Sequence, residues 1–294
     1  MPASSTHRVK NVAIAVALLL LGVLAAFQLM RPSQDKREPA QDTPAPDGQR
    51  PQADLVRGVY GRDSSKTGLK DISSVGFDTV TVVPDVAKLD QLHDEGLRGV
   101  VWLGAYANSS CSFERDDQWV RDSVERIADH DAIVAYQIAD EPNQNMCSQA
   151  PRQIGERAEL VESLDPGVPT YVTASAWDGA QSFPYEHFAK TTDIMGLVVY
   201  PCLNKSDECW FEMIDRAIAA AASADVDRYW AVVQSFETDW YRLPTSDELE
   251  QQFDRWSRSR MSGYFVYQWS RAQTASDDGL MQAFARLNEN PLRS

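Results

Sequence analysis

The sequence predicts an α/β protein built as a (β/α)8 barrel, preceded by one N-terminal transmembrane helix and a disordered linker. Three observations carry this. From residue 56 short apolar runs alternate with helix-length stretches, the alternation repeats eight times in about 235 residues, and the first fifty residues have a different composition altogether. Eight βα units in that length is the count for a closed barrel, whose working face is the C-terminal end of its strands. A doubly wound open sheet is the runner-up, but neither G-x-G-x-x-G nor G-x-x-x-x-G-K-[ST] follows the first strand.

The chain opens with a short segment, residues 1–10, that carries Arg8 and Lys10. Val12 to Met30 is then apolar except for Gly22 and Gln28, and nineteen residues at about 1.5 Å each cover a hydrocarbon core of about 30 Å. A cleaved signal has a shorter apolar region and a small-x-small site; Leu24-Ala25-Ala26-Phe27 matches that poorly. Residues 11–30 are therefore read as a transmembrane signal anchor, with secretion after cleavage as the alternative. The basic pair holds residues 1–10 in the cytoplasm and the bulk of the chain outside, in a single-pass arrangement. Residues 31–53 are rich in Pro, Gln, Asp, Lys and Arg and bury too little to fold, so they form a flexible linker to a domain at 54–294.

Within that domain the expected strands are Val56–Gly61, Asp78–Val83, Gly99–Leu103, Ile133–Ala139, Thr170–Thr173, Ile194–Tyr200, Tyr229–Phe236 and Tyr264–Trp269. The helices between them are Leu69–Val75, Val86–Glu95, Asp116–Ala128, Arg152–Ser163, a short piece near Tyr185–Ala189, Cys209–Ala222, Ser246–Ser259 and Gly279–Leu287. Their patterning is helical: Leu249, Phe253 and Trp256 fall at i, i+4 and i+7 behind an N-cap at Thr245 or Ser246.

Four cysteines, Cys111, Cys147, Cys202 and Cys209, lie beyond the linker. In a chain expected to be exported they read as two disulfides, and of the three pairings the expected one is Cys111–Cys147 with Cys202–Cys209. None forms a C-x-x-C pair or sits beside a histidine, so no metal or other cofactor is expected. With 28 basic and 43 acidic residues the formal net charge is −15, which argues against a nucleic-acid partner and disfavours strongly anionic polymers. The oligomeric state is not legible.

The fourth strand ends in Asp140-Glu141-Pro142-Asn143, and the seventh runs through Gln234-Ser235-Phe236 to Glu237, 96 residues or three βα units after Glu141. Two glutamates at those strand tips face each other across a barrel mouth. Paired carboxylates are what glycoside hydrolysis requires, one to protonate the leaving oxygen and one to attack the anomeric carbon or activate water.

This arrangement resembles the clan A glycoside hydrolases, a cellulase-like superfamily of retaining (β/α)8 enzymes. Asp140-Glu141-Pro142 is similar to the clan's Asn-Glu-Pro, with Asp in place of the usual Asn. The resemblance implies that Glu141 is the acid/base and Glu237 the nucleophile, with their carboxyl groups about 5–5.5 Å apart. Tyr267-Gln268-Trp269 resembles the clan's eighth strand, which implies that Trp269 floors a sugar subsite. Asp140 departs from the pattern: while ionised it accepts but does not donate a hydrogen bond, and it sets a second negative charge beside Glu141, which raises the pKa of that acid.

Further substrate contacts are expected from Tyr60, Arg62, Trp102, Trp177, Tyr200, Gln234 and Asn143, with Tyr106, Trp240 and Tyr241 adding to an aromatic rim and Asp63 and Asn108 to its polar groups. A metallohydrolase fits poorly, because of His7, His93, His130 and His187 only the last approaches the strand tips. A serine hydrolase lacks its G-x-S-x-G elbow. The expected function is thus a membrane-anchored, extracytoplasmic retaining glycoside hydrolase acting on a β-linked polysaccharide or oligosaccharide. The rival is an inactive barrel that binds carbohydrate or serves as a scaffold of the cell envelope.

Overall fold

The computed structural model describes residues 55–61, 65–175, 182–270, 274 and 276–289. The apolar run at 12–30, the linker to residue 53, and Arg62, Asp63 and Trp177 lie outside them. Among the described residues no helix is long and apolar enough to cross a membrane.

Eight parallel strands close into a barrel. In chain order the strands are β1 (Val56–Gly61), β2 (Thr79–Val82), β3 (Arg98–Trp102), a small antiparallel pair β4 (Tyr106–Ala107) and β5 (Ser112–Phe113), β6 (Ile133–Ala139), β7 (Thr170–Ser175), β8 (Ile194–Val199), β9 (Tyr229–Gln234) and β10 (Gly263–Trp269). The barrel runs β1-β10-β9-β8-β7-β6-β3-β2, so β6 and β9 are its fourth and seventh strands. All eight expected strands are present with ends displaced by at most two residues. The β4–β5 hairpin was not expected; two-residue strands carry no periodicity to read.

The helices are α1 (Lys66–Ser74), α2 (Val86–Asp94), α3 (Asp117–Ile127), α4 (Ala150–Leu164), α5 (Tyr185–Phe188), α6 (Glu212–Ser223), α7 (Ser246–Ser257) and α8 (Asp278–Glu289). Their starts follow local chemistry. The Asp85 and Asp116 carboxylates accept from the backbone N–H groups of Lys88 and Trp119, and Thr245 with Glu248 forms a reciprocal capping box at α7. The i, i+4, i+7 residues Leu249, Phe253 and Trp256 are buried beneath α7, each worth about 1.5–3 kcal/mol of transfer free energy.

Two apolar layers result. The larger lies between barrel and helices; the smaller fills the barrel itself, where the rings of Tyr171 on β7 and Phe265 on β10 pack tilted against Trp230 on β9, with centroids 4.8 and 5.2 Å from it. Three large rings fit because Gly58 and Gly196 face them: a Cβ on Gly58 would run into the Phe265 ring and one on Gly196 into the Tyr171 hydroxyl. The aromatic plug closes the barrel from below and leaves the C-terminal mouth open.

Both expected disulfides form, Cys111–Cys147 and Cys202–Cys209, with Cα separations of 5.4 and 4.2 Å. Such bonds persist in oxidising compartments, in keeping with an extracytoplasmic domain.

Gly196→Ala is expected to lower unfolding free energy by about 1–3 kcal/mol in urea titrations, as overpacking does. Adding Tyr171→Phe, which removes the colliding hydroxyl, should recover part of that loss; equal losses in single and double variants would count against this packing.

Candidate active site

A cavity of about 590 Å3 opens at the C-terminal mouth of the barrel. Its acidic side is formed by Asp140 and Glu141, just past β6. Trp102 from β3, Tyr60 from β1, Thr173 from β7, Tyr200 just past β8, and Tyr267 and Gln268 from β10 complete most of the wall. Tyr60 also bonds the floor, its hydroxyl 2.7 Å from that of Tyr171.

The turn that presents Glu141 is held from three sides. Glu141 has φ +44°, a left-handed conformation that a non-glycine residue adopts at a cost of about 1–3 kcal/mol. Its backbone N–H donates to Thr173 Oγ1 at 2.9 Å, and that hydroxyl donates onward to Asp140 Oδ1 at 2.5 Å. Asn108 Nδ2 donates to the Glu141 carbonyl at 3.1 Å, while Asn108 Oδ1 accepts from the Asn143 N–H at 2.7 Å. The Cys111–Cys147 bridge ties the hairpin loop that carries Asn108 to the segment after Asn143.

Electrostatics follow from this enclosure. Burial first and the neighbouring Asp140 charge second, opposed by a hydrogen bond from Ser175, together raise the Glu141 pKa from its ordinary 4.5 to about 7. Asp140 keeps access to water through the mouth, yet the surrounding protein raises its pKa too, against the Thr173 hydrogen bond. Burial pushes Tyr60, Tyr171 and Tyr200 well up, so all three stay phenols and donors at neutral pH. Of these Tyr60 and Tyr200 line the cavity, where they are suited to sugar hydroxyls and unsuited to act as tyrosinate nucleophiles.

The cavity gathers Tyr60, Trp102, Asp140, Glu141 and Tyr200 from the residues expected on sequence grounds. Four others go elsewhere. Trp269 is fully buried between β10 and α8, against Phe77 and Phe284, and is no floor for a sugar. Its orientation follows from a register slip: β1 pairs Val59 with Val266 but Gly61 with Trp269, and the extra residue in β10 puts Tyr267 and Gln268 on the cavity side. Gln234 is also buried, its amide bonded to the Cys202 backbone and the Arg242 carbonyl. Asn143 folds back on its own loop, accepting from the N–H groups of Asn145 and Met146. Glu237 is exposed and does not line the cavity. The residue before it, Phe236, is buried against two rings of the cavity wall, 4.9 Å from Tyr200 and 5.1 Å from Tyr267.

The aromatic rim is likewise divided. Tyr106 is buried with its hydroxyl on Gln153, whereas Trp240 is open to solvent and Tyr241 packs on Tyr200. Thr173, Ser175, Tyr267 and Gln268 were not singled out from sequence; strict alternation along β7, which faces Tyr171 inward, is the signal that finds the first two. Among the described residues the one group of Cys, His, Asp and Glu close enough to share a metal is Cys202, Cys209 and Glu248, and its sulfurs are joined in a disulfide. His93 and His130 lie against each other beside Asp90, away from the cavity, and His187 pairs with Glu186.

No protein-family model matches the chain, and no curated protein matches it in sequence. Solved structures do match. The endo-β-1,4-mannanase of Thermotoga petrophila aligns over 81% of this chain and 77% of its own, with TM-score 0.57 and 11% identity. The endo-1,4-β-mannanase of Rhizomucor miehei aligns over 81% and 95%, with TM-score 0.57 and 12% identity. The fold is that of the glycoside hydrolase (β/α)8 barrels. A GH2 β-galacturonidase from Eisenbergiella tayi, bound to galacturonate, shares it at TM-score 0.56 and 13% identity, and the chain spans about half of that enzyme's length.

The raised carboxylates give stability a pH signature. Between pH 4.5 and about 7 the folded state holds more protons at Glu141 than the unfolded one, so stability falls as pH rises through that window. Asp140 shifts in the same direction and adds the same sign. Chemical denaturation across pH 4–8 should show Glu141→Gln flattening this decline by up to about 3 kcal/mol; an unchanged slope would contradict the raised pKa.

Proposed function

We propose that the domain is a glycoside hydrolase that takes a β-linked oligosaccharide or polysaccharide into the barrel mouth, with Glu141 as the proton donor to the leaving oxygen. One observation carries the reading: a glutamate with a pKa of about 7 lines an aromatic cavity at the C-terminal mouth of a glycosidase-type barrel. A general acid is most useful when its pKa is near the working pH, because it then holds its proton and still gives it up readily. Trp102 offers an apolar face for a sugar ring, and Tyr60 and Tyr200 offer hydroxyls to its polar edge.

Retention needs a second carboxylate about 5–5.5 Å from the acid. The resemblance of Gln234-Ser235-Phe236-Glu237 to the clan's nucleophile strand gives that role to Glu237, three residues past the end of β9. With Glu237 exposed and off the cavity wall, that role requires Glu237, which lies ahead of the Thr238 turn, to swing inward around substrate. Asp140 is the other carboxylate within the cavity, and as a base for water it would give an inverting outcome instead. The exposure of Glu237 also favours a second reading, in which the barrel binds carbohydrate without cleaving it. In either case residues 12–30 would hold the domain on the outer side of a membrane through the linker at 31–53.

A panel of mannans, glucans, xylans and aryl glycosides separates these readings. Glu141→Gln should lower kcat by about 10²- to 10⁴-fold, and on aryl glycosides with good leaving groups the loss should be smaller. An equal loss in Glu237→Gln, with retained anomeric configuration in the product, supports Glu237 as nucleophile; full activity in that variant removes it from the mechanism. Binding without turnover by the wild-type chain establishes the non-catalytic reading.

A further inference from the structure

We infer that Trp240 is an outer stacking platform for a second sugar ring, so that the site takes an oligosaccharide chain running out of the cavity along the β8–β9 side. This deepens the carbohydrate reading above and rests on it. Trp240 is 71% exposed, the most exposed large apolar side chain among the described residues. An indole left in water on a loose loop would need no explanation. This one stands on a turn fixed more tightly than surface loops generally are.

Asn204 donates twice across to that turn, from its backbone N–H to the Trp240 carbonyl at 3.0 Å and from Nδ2 to the Thr238 carbonyl at 2.6 Å. Thr238 closes the turn itself, its N–H donating to the Tyr241 carbonyl and its hydroxyl accepting from the Trp240 and Tyr241 N–H groups. The facing loop is stapled by Cys202–Cys209, and Arg242 fastens the two together by bonding the Ser206 and Asp207 carbonyls and gripping Glu248 with both guanidinium ends. Rigid presentation lowers the entropy lost when a flat ring docks.

The position is continuous with the cavity. Tyr241, the next residue, has its ring 5.6 Å from Tyr200, which lines the cavity wall. Polar groups suited to sugar hydroxyls are close in the fold or sequence: Lys205 Nζ stands over the indole ring, 6.0 Å from its centroid, and Glu237 and Asp239 are exposed in the same turn. An exposed aromatic ring with a cationic donor and carboxylate acceptors in its neighbourhood fits a pyranose, which is apolar on its C–H faces and polar around its rim. The two acids make an anionic lipid surface the poorer occupant. Glu237 thereby gains a role at the rim that needs no rearrangement.

The test is calorimetric binding of β-1,4-linked manno- and gluco-oligosaccharides, each from monosaccharide to hexasaccharide, to the full-length chain carrying Glu141→Gln, with and without Trp240→Ala. The inference expects the alanine variant to lose about tenfold in affinity for the longer members, no affinity for the monosaccharide, and most of the loss to be restored by Trp240→Phe. Equal affinities at every length, or a uniform loss at every length, would overturn it while leaving the carbohydrate reading intact. So would a variant whose only deficit is binding to phosphatidylcholine vesicles. If neither ladder binds the parent chain or the wild type, the carbohydrate reading itself falls and the platform with it.

Discussion

The strained turn at the tip of β6 is the constraint on which the site depends. Glu141 is held at positive φ, with its own amide and carbonyl committed to Thr173 and Asn108. An extended residue in that position would continue β6 outward. The left-handed turn instead keeps Asp140 and Glu141 on the cavity wall, and Thr173 joins the two by accepting from one and donating to the other. The strain is offset by groups that belong to other elements: Asn108 beside the β4–β5 hairpin, Thr173 on β7, and the Cys111–Cys147 bridge.

Below the turn the aromatic plug sets the depth of the cavity. Tyr171, Trp230 and Phe265 fill the barrel, so a ligand meets Tyr60, itself bonded to the buried Tyr171 hydroxyl, rather than a water-filled bore. The same enclosure shifts the carboxylates. Glu141, enclosed and set beside a second acid, loses hydration without gaining a cation, and both effects favour its protonated form. Packing and acidity thus have one origin.

Much of this was legible in the sequence. Strand count, strand limits to within two residues and the acidic pair at the fourth strand tip followed from periodicity and the Asp140-Glu141-Pro142 run, and the cysteine pairing named among three is the one that forms. What was not legible depended on the direction of single side chains. One extra residue in β10 turned Trp269 toward the helices and gave the cavity to Tyr267 and Gln268, and a slip of that kind leaves no mark on composition or period. Past the seventh strand, Phe236 is buried and Glu237 exposed, because Tyr200, Tyr241 and Tyr267 offer the ring three aromatic contacts. Gln234 and Asn143 looked like ligand contacts because polar residues near strand ends often are. Each instead satisfies backbone groups of its neighbouring loop.

The central claim is that enclosure beside Asp140 makes Glu141 an acid that still holds its proton near neutrality. Carboxyl 13C NMR of the full-length chain labelled at glutamate, with the Glu141 signal assigned by its loss in Glu141→Gln, measures this directly. The account predicts a midpoint near pH 7 that moves down in Asp140→Asn. A Glu141 signal titrating with the surface glutamates, near about 4.3, and indifferent to Asp140→Asn would contradict it.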